Sequence, residues 1–296
     1  MTGPLWLDVS GLPVAAAADA VEAALREGLD PETDPPRTGL PVPGGEILLM
    51  PAVGAGYAGV KVVTIAPDNP ARGLPRIQGV YVLCAGATLA PLALLDGAEL
   101  TALRTPAVSA VALRRLTPDR PLRTVLFGTG PQAWGHVRAL AETRPPGPLA
   151  VVGRDPSRTA AFLARCAQAG IPAEPGQPGA VRDADLVLCC TTAVTPVFDG
   201  ALPPATACVV AVGSHQPHVR EVGAAYVDRA ACYVEARAAA TREAGELAGV
   251  APERLTNLAE LATAQVDLDR PRFFKSVGMA WEDLVVAAAA YRAAAG

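Results

Sequence analysis

The sequence predicts an α/β protein, and three observations support this fold class. From about residue 121 the chain alternates short apolar runs with helix-compatible segments, as in a parallel sheet that helices cover on both faces. One of these runs, residues 123–127, ends in a glycine-rich turn that opens a helix. The first half instead has strand-like runs between glycine or proline turns, which favours an antiparallel or mixed sheet. The length of 296 residues fits two domains.

The glycine-rich turn has the pattern Gly-x-Gly-x-x-Ala. In a βαβ unit Gly128 permits the tight turn, Gly130 lets backbone approach a pyrophosphate, and the small Ala133 lets the helix pack on the strand. The helix start adds free N–H groups and a positive dipole. A second apolar run, residues 149–153, follows at βαβ spacing. The pattern therefore predicts a Rossmann-type dinucleotide site, although such a turn also occurs in ordinary α/β proteins. Its cofactor-binding residues are Gly128, Thr129, Gly130, Pro131, Gln132 and Ala133.

The other elements follow from hydrophobic periodicity and turn residues. Helices are expected over residues 15–27, 101–116, 134–143, 156–169 and 273–295. Strands are expected over residues 46–50, 59–65, 79–83, 123–127, 149–153, 185–190, 207–212 and 232–235. In the helix over 101–116, Thr105 is predicted as N-cap with Pro106 at the first helical position.

Composition excludes several classes of protein. The net charge is −4 and there is no basic block, so no nucleic-acid partner is expected. The start lacks a cationic leader, and the most apolar segment, residues 284–295, is too short to span a membrane. The six cysteines lack zinc spacing and are read as buried thiols in a reducing cytoplasm. His215 and His218 flank a proline without a carboxylate motif, so no metal site is predicted.

Three cations in the first half are candidates for a substrate site: Arg37, Lys61 and Arg104. Arg37 lies in a proline-rich loop, Lys61 is inside an otherwise apolar strand, and Arg104 directly precedes the predicted helix start. An ammonium between β-branched residues must reach surroundings that tolerate its charge. Each could equally be a solvent-facing cation whose stem covers apolar surface. Acting together, they would bind a carboxylate, because arginine donates bidentate hydrogen bonds and lysine adds a point charge.

Seven strings along the chain carry a family resemblance. They are Pro36-Arg37-Thr38, Met50-Pro51, Lys61-Val-Val-Thr64 with Pro67 and Asn69, Leu100-Thr-Ala-Leu-Arg-Thr-Pro-Ala-Val-Ser-Ala110, Gly128-Thr-Gly-Pro-Gln-Ala133, Ala211-Val-Gly-Ser-His215 with Arg220-Glu221, and Phe274-Lys-Ser-Val-Gly-Met-Ala-Trp-Glu-Asp283. From about Arg37 to its end the chain thereby resembles the ornithine cyclodeaminase/μ-crystallin family. The resemblance implies a homodimer with a discontinuous α+β substrate-binding and dimerisation domain, residues 1–119 with 268–296, and a Rossmann NAD(P) domain, residues 120–267. It also implies that Arg37, Lys61 and Arg104 hold a substrate α-carboxylate against the nicotinamide.

Two departures from the family pattern bear on the reaction. The cyclodeaminases carry a Glu and an Asp where this chain has Leu48 and His215. Because leucine cannot pair an ammonium, the resemblance favours reduction of a small cyclic or open α-imino acid, or the reverse L-amino acid dehydrogenation. Lys61 or His215 would supply the proton, unless His215 is only a polar residue at a strand end. The alternatives are conversion of ornithine to proline and ammonia, and an NADP-loaded binding protein without turnover.

The end of the second strand of the βαβ unit indicates which nucleotide binds. An acid there would favour NAD(H), and an arginine would favour the 2′-phosphate of NADP(H). Gly153 stands at that position and Arg154 follows, with Ser157 and Arg158 within reach. NADP(H) is therefore predicted, and Asp155 leaves NAD(H) open. Further cofactor-side candidates at strand ends are Thr191, Thr192 and Ser214.

Overall fold

A computed structural model describes residues 3–295, which form two compact units. Unit 1 comprises residues 3–104 with 279–295, and unit 2 comprises Thr105–Gly278. The domain boundaries expected from the resemblance were 119/120 and 267/268. In the structure the units divide instead within a long helix and directly before the last one. None of the described helices combines the length and apolar character needed to cross a bilayer.

Unit 1 is built on a six-stranded sheet in the order β1-β6-β5-β4-β3-β2. Neighbouring strands are antiparallel except for the parallel pair of β1 and β6, so the predicted antiparallel or mixed sheet is confirmed. The strands are β1 (Leu5–Leu7), β2 (Thr38–Val42), β3 (Gly45–Gly54), β4 (Tyr57–Ile65), β5 (Ile77–Ala85) and β6 (Pro91–Asp96). Helix α8 (Ala280–Ala295) packs on β3 and β4 and against α1 (Val14–Arg26).

The face of this sheet that helix α8 covers follows from strand alternation. Side chains at every second position of β3 are buried, as Leu48, Met50 and Ala52 are. In β4 the buried positions are Lys61 and Val63. Lysine therefore occupies a core position in an otherwise apolar layer, and the solvent-facing alternative for Lys61 does not hold.

Unit 2 contains an eight-stranded parallel sheet in the order β13-β12-β14-β11-β10-β7-β8-β9. Its strands are β7 (Thr124–Phe127), β8 (Leu149–Val152), β9 (Glu174–Pro175), β10 (Leu186–Cys189), β11 (Cys208–Ala211), β12 (Ala231–Val234), β13 (Leu255–Asn257) and β14 (Arg272–Lys275). The helices are α3 (Pro131–Thr143), α4 (Pro156–Gln168), α5 (Ala224–Val227), α6 (Arg237–Glu243) and α7 (Leu258–Leu261). Strands β7, β10, β11 and β14 are buried along their whole length. The predicted α/β class is confirmed.

The predicted start of the long helix in the middle of the chain is wrong. Helix α2 (Gly97–Leu116) begins eight residues before Thr105, and Pro106 lies inside it. The Asp96 carboxylate accepts hydrogen bonds from the N–H groups of Ala98 (2.8 Å) and Glu99 (2.9 Å), so Asp96 provides the cap that the sequence assigned to Thr105. Proline is tolerated here although it removes one internal hydrogen bond. Arg104 therefore lies within a helix and does not precede one.

The prediction of one helix over residues 273–295 is also wrong at its start. Arg272–Lys275 forms β14, which lies between β11 and β12 in the sheet of unit 2. The chain then turns at Gly278, whose φ of 79° is the left-handed conformation that glycine adopts without strain. Only from Ala280 is the chain helical. The turn residue Gly278 was the local signal for this boundary, and the prediction of a single helix passed over it.

Candidate active site

Lys61 is held on the covered face of the unit 1 sheet by helix α8. Its side chain is 2% exposed, and its Nζ lies 2.7 Å from Oδ2 of Asp283, which is fully buried. Nζ also donates a hydrogen bond of 3.2 Å to Oγ1 of Thr101 at the start of α2. Burial lowers the pKa of Lys61 to about 8, and the charge of Arg104 acts in the same direction while Asp283 opposes both. The ammonium is therefore an acid whose pKa lies near neutral pH.

Arg104 shares the same acidic turn. Its Nε donates to Oδ1 of Asp283 at 3.2 Å, and its Nη1 donates to Oε2 of Glu282 at 2.9 Å. Both carboxylates are buried, and they follow one another in the first turn of α8. The structure thus brings Lys61 and Arg104, which are 43 positions apart, to one carboxylate. The carboxylate of Asp283 therefore fixes the direction of both cations.

Arg37 joins this group through a third acid. It is half-buried and lies directly before β2. Burial raises the pKa of Asp34 to about 6, and the charge of Arg37 is a smaller effect in the opposite direction. The Asp34 carboxylate in turn accepts hydrogen bonds from the N–H groups of Ala280 (2.8 Å) and Trp281 (3.3 Å) at the start of α8. Lys61 and Arg104 therefore contact acids of the first turn of α8, and the loop that carries Arg37 is hydrogen-bonded through Asp34 to the backbone of the same turn. We call this group the α8 cluster: Asp34, Arg37, Lys61, Arg104, Glu282 and Asp283.

The glycine turn of unit 2 has the backbone that the sequence predicted. Gly128 has a φ of 110°, and a Cβ there would lie 2.3 Å from the carbonyl oxygen of Cys190. At Gly130 a Cβ would meet no atom within 4 Å, so the chain is open on that side. Helix α3 begins with Pro131 and has no side-chain cap on its first N–H groups, while Ala133 is buried beneath it. This cradle of open backbone and uncapped helix dipole fits a pyrophosphate.

The loop after β8 bears on nucleotide choice. A Cβ on Gly153 would lie 2.1 Å from Oγ1 of Thr159, so a side chain at this position would have to displace the threonine hydroxyl. Asp155 is the N-cap of α4 and accepts from the N–H groups of Ser157 (2.9 Å) and Arg158 (3.2 Å). Arg154, like Ser157 and Arg158, is exposed. This N-cap role accounts for an acid at position 155 without any contact between Asp155 and a ribose.

The loops that follow β10 and β11 are tied together by Glu221. Its buried carboxylate accepts from the N–H and the hydroxyl of Thr191, both at 2.7 Å, and from the N–H of Gly213 at 2.7 Å. Burial raises the pKa of Glu221, against the lowering effect of the Lys275 charge and these hydrogen bonds. The Thr191 side chain therefore holds the loop, while Thr192 beside it is exposed.

Ser214 lies in a buried ionic network. Its hydroxyl is 3.0 Å from Nζ of Lys275 and 3.3 Å from Oε1 of Glu246. Nζ of Lys275 is 3.3 Å from Oε2 of Glu246, and both side chains are fully buried. The N–H of Glu221 donates to Glu246 at 2.9 Å. This hydrogen bond connects the network to the residue that holds the loops after β10 and β11 together. His215, the next residue, is half-buried in the loop after β11, in unit 2, whereas Lys61 belongs to unit 1.

The sequence of the chain matches the family model described as "Ornithine cyclodeaminase/mu-crystallin family" over residues 8–296. The chain belongs to this family.

One relative found by sequence and two solved structures show what kind of protein the chain is similar to. It is 34% identical over 282 residues to Delta(1)-pyrroline-2-carboxylate reductase 2 of Burkholderia ambifaria, covering 94% of this chain and 89% of that one. The structure of Thermococcus litoralis Delta(1)-pyrroline-2-carboxylate reductase, in complex with NADH and L-proline, superposes with a TM-score of 0.89 at 27% identity, covering 97% and 94%. An archaeal alanine dehydrogenase dimer with bound NAD superposes with a TM-score of 0.90 at 26% identity, covering 99% and 96%.

The family strings contain acids to which the sequence analysis gave no role. Glu282 and Asp283 end the last string, and Glu221 ends the one before it; Asp34 and Glu246 lie outside the strings. Their partners are distant in sequence, as Asp283 is 179 positions from Arg104. For Glu282 and Asp283 the sequence did offer a signal: both acids lie next to the apolar run of α8. A carboxylate that is buried there requires a partner.

Proposed function

We propose that this member of the ornithine cyclodeaminase/mu-crystallin family is an NAD(P)H-dependent reductase of a small cyclic or open α-imino acid, or that it catalyses the reverse L-amino acid dehydrogenation. The observation that carries the proposal is the α8 cluster, in which buried cations are oriented by buried acids. The similarity to two Delta(1)-pyrroline-2-carboxylate reductases supports this choice of substrate class.

The α8 cluster is proposed to bind the substrate carboxylate. Glu282 and Asp283 fix the directions of Arg104 and Lys61, so the ligand does not have to order two long side chains. The Lys61 ammonium has three N–H donors, and Thr101 and Asp283 each accept from one of them. Arg37 would add a second guanidinium from its loop. In such a site a carboxylate is held by charge-assisted hydrogen bonds in surroundings from which water is largely removed.

Lys61 is the proposed proton donor. Reduction of C=N adds a hydride to the carbon and a proton to the nitrogen, and a reduced nicotinamide, when bound, supplies the hydride. A lysine of pKa about 8 is protonated at neutral pH and still acidic enough to transfer its proton. Asp283 would stabilise the ammonium again after reprotonation from solvent. The role predicted for His215 stays a prediction, and the kinetics of His215→Asn test it.

Unit 2 is proposed to hold the nicotinamide dinucleotide. The turn over Gly128, Thr129 and Gly130, with the uncapped start of α3 at Pro131, Gln132 and Ala133, would take the pyrophosphate. The other proposed cofactor-side residues are Arg154, Ser157, Arg158, Thr191, Thr192 and Ser214. Ser214 acts indirectly in this proposal, because its hydroxyl is engaged by Lys275 and Glu246. NADP(H) is preferred over NAD(H) because position 153 carries glycine in place of an acid and Asp155 is engaged as a cap.

A homodimer is proposed, with the uncovered face of the unit 1 sheet as the interface. Leu49 and Val53 of β3 and Leu40 of β2 are exposed. In the strand register Leu49 neighbours Val62, and Val62 neighbours Val80, so this face is apolar across four strands. A face of this composition in a monomer would be a liability for aggregation. Sedimentation of Val53→Asp tests the proposal, since a charged face should leave monomers.

The true cyclodeaminase reaction is disfavoured by Leu48, which is buried among apolar side chains on the covered face of β3. The discriminating experiment is a substrate panel at neutral and alkaline pH. Oxidation of NADPH or NADH by Δ1-pyrroline-2-carboxylate or Δ1-piperideine-2-carboxylate supports the reductase. Ammonia release from ornithine without net change of cofactor supports the cyclodeaminase instead. Tight NADPH binding without turnover of any substrate in the panel supports a binding protein.

A further inference from the structure

Asp34 links the loop that carries Arg37 to the first turn of helix α8. The linker is short, because only two residues separate the acid from Arg37. The Asp34 carboxylate accepts from the backbone N–H groups of Ala280 at 2.8 Å and Trp281 at 3.3 Å. Two residues further on, α8 presents Glu282 and Asp283 to Arg104 and Lys61. The first turn of α8 therefore binds Asp34 of the loop through backbone N–H groups, and it binds Lys61 and Arg104 through side-chain carboxylates.

The charges around Asp34 are mixed. Arg37, from its own loop, favours the carboxylate form, whereas Asp283, from α8, disfavours it. On β5, burial raises the pKa of Tyr81, and the negative charges of Asp283 and Asp34 add to this shift. Lys61 and Arg104 are paired with Asp283 and offset its charge. Asp34 thus lies where three elements bring acids and cations together, and its own charge decides how the Arg37 loop is attracted to α8.

We propose that Asp34 is a positioning residue for substrate binding: its charged form holds the Arg37 loop on the first turn of α8 and so sets the affinity for the substrate carboxylate. The inference rests on the proposed carboxylate role of the α8 cluster. It adds a residue that neither the family strings nor the three cations include. Asp34 does not contact the substrate in this proposal and acts only through Arg37 and α8.

The pH dependence follows from the same contacts. Burial raises the pKa of Asp34 to about 6, while the N–H groups of Ala280 and Trp281 oppose the shift. As the pH falls through about 6 the carboxyl takes up a proton, and its attraction to Arg37 and to the positive end of the helix dipole is lost. Affinity for the carboxylate ligand should therefore be high above this pH and low below it.

The test compares Asp34→Asn with Asp30→Asn in the cofactor-saturated protein. Asparagine keeps an acceptor oxygen for the α8 cap but carries no charge. Asp30 is the matched control: it lies in the same loop, is exposed, and accepts from the N–H of Glu32 at 3.0 Å without reaching α8. The probe is pyrrole-2-carboxylate, a planar ring acid that stays ionised from about pH 5.5 to about pH 8. Its dissociation constant is measured by calorimetry across this range.

For the unaltered protein we expect the dissociation constant to rise about tenfold as the pH falls through 6. Asp34→Asn should show the weak, acid-form affinity at every pH, and Asp30→Asn should behave as the unaltered protein does. The KM for Δ1-pyrroline-2-carboxylate should rise in parallel while kcat changes less than about twofold, because the substrate chemistry is untouched. The Trp281 indole signal in an NMR titration should show the same midpoint, and Asp34→Asn should abolish that step.

Two results would overturn the role of Asp34: a pH step that persists in Asp34→Asn, or equal effects of Asp34→Asn and Asp30→Asn. Absence of any carboxylate binding by the unaltered protein would overturn it as well. The proposed function fails separately. If the protein binds pyrrole-2-carboxylate with the expected pH step but reduces no imino acid, Asp34 keeps its role and the reductase assignment is wrong.

Discussion

Each unit buries a group of acids and cations, and the two groups use their acids differently. In the α8 cluster, Glu282 and Asp283 pair with cationic side chains, Arg104 and Lys61. In unit 2, Glu221 binds backbone N–H groups of two loops, and Glu246 pairs with Lys275 beneath them. Contact with the substrate carboxylate is thus proposed for side chains of unit 1, and contact with the cofactor pyrophosphate for backbone of unit 2. Removing an acid should accordingly affect substrate binding in one unit and cofactor binding in the other.

The largest effect is expected for Asp283→Ala. This change removes the carboxylate that both Lys61 and Arg104 contact and leaves two buried cations short of a partner. Breaking a buried ion pair in this way typically costs about 3–5 kcal/mol of unfolding free energy. Urea unfolding of Asp283→Ala should show this loss. Glu142→Ala is the control, because its i,i+4 pair with Arg138 is at the surface and its loss should cost at most about 1 kcal/mol. Equal losses in the two variants would contradict the importance of burial.

Lys61→Met should reduce kcat/KM for Δ1-pyrroline-2-carboxylate by about 10²–10⁴-fold, because both a carboxylate contact and the proton donor are removed. In the unaltered enzyme activity should fall as the pH rises through about 8, since burial lowers the pKa of Lys61 to that value and only the ammonium donates. Lys61→Arg should retain carboxylate binding and lose this alkaline limb. A pH profile that is the same in all three proteins would remove Lys61 from proton transfer.

Glu221→Gln should weaken cofactor binding about tenfold, because the amide replaces one of the carboxylate oxygens that hold Thr191 and Gly213. The KM for the imino acid at saturating cofactor should stay within about twofold of its original value. Fluorescence titration with NADPH measures the first quantity and steady-state kinetics the second. If the imino acid KM rises while cofactor affinity is unchanged, the contrast between the units is wrong.

The smallest effect is expected for Arg154→Ala. Exposed cations contribute modestly, so the ratio of NADPH to NADH affinity should fall by about threefold to tenfold. Arg165→Ala is the control, because this arginine is also in unit 2 but lies over the ring of Trp134. An unchanged ratio in Arg154→Ala would exclude this residue from nucleotide choice.

Much of unit 2 follows from local sequence. Parallel strands that are buried on both faces are continuous apolar runs, and the glycine turn is set by residues next to one another. The sequence interpretation missed strand β14 because it is only four residues long and two of them, Arg272 and Lys275, are charged, so it has no continuous apolar run. In unit 1, Lys61 stood out because an ammonium between valines needs a partner. The identity of that partner, Asp283, depends on a contact over more than 200 positions, which local patterns do not encode.

The helix start at Thr105-Pro106 shows a different limit. Proline at the first helical position is a sound local rule, but here packing keeps Pro106 inside a helix of 20 residues. The competing signal was Asp96, an acid directly before Gly97. The sequence was therefore sufficient to select Arg104 as a candidate, but it did not predict that Arg104 lies within a helix.

The crowded space at Gly153 constrains which residues this position of the chain accepts. Any side chain at this position would meet the hydroxyl of Thr159 at 2.1 Å and the methyl of Thr129 at 3.1 Å. An aspartate introduced alone would strain the loop before it could accept from a ribose. Removal of the Thr159 hydroxyl would relieve this contact, so an engineered change at position 153 is best combined with a change at position 159.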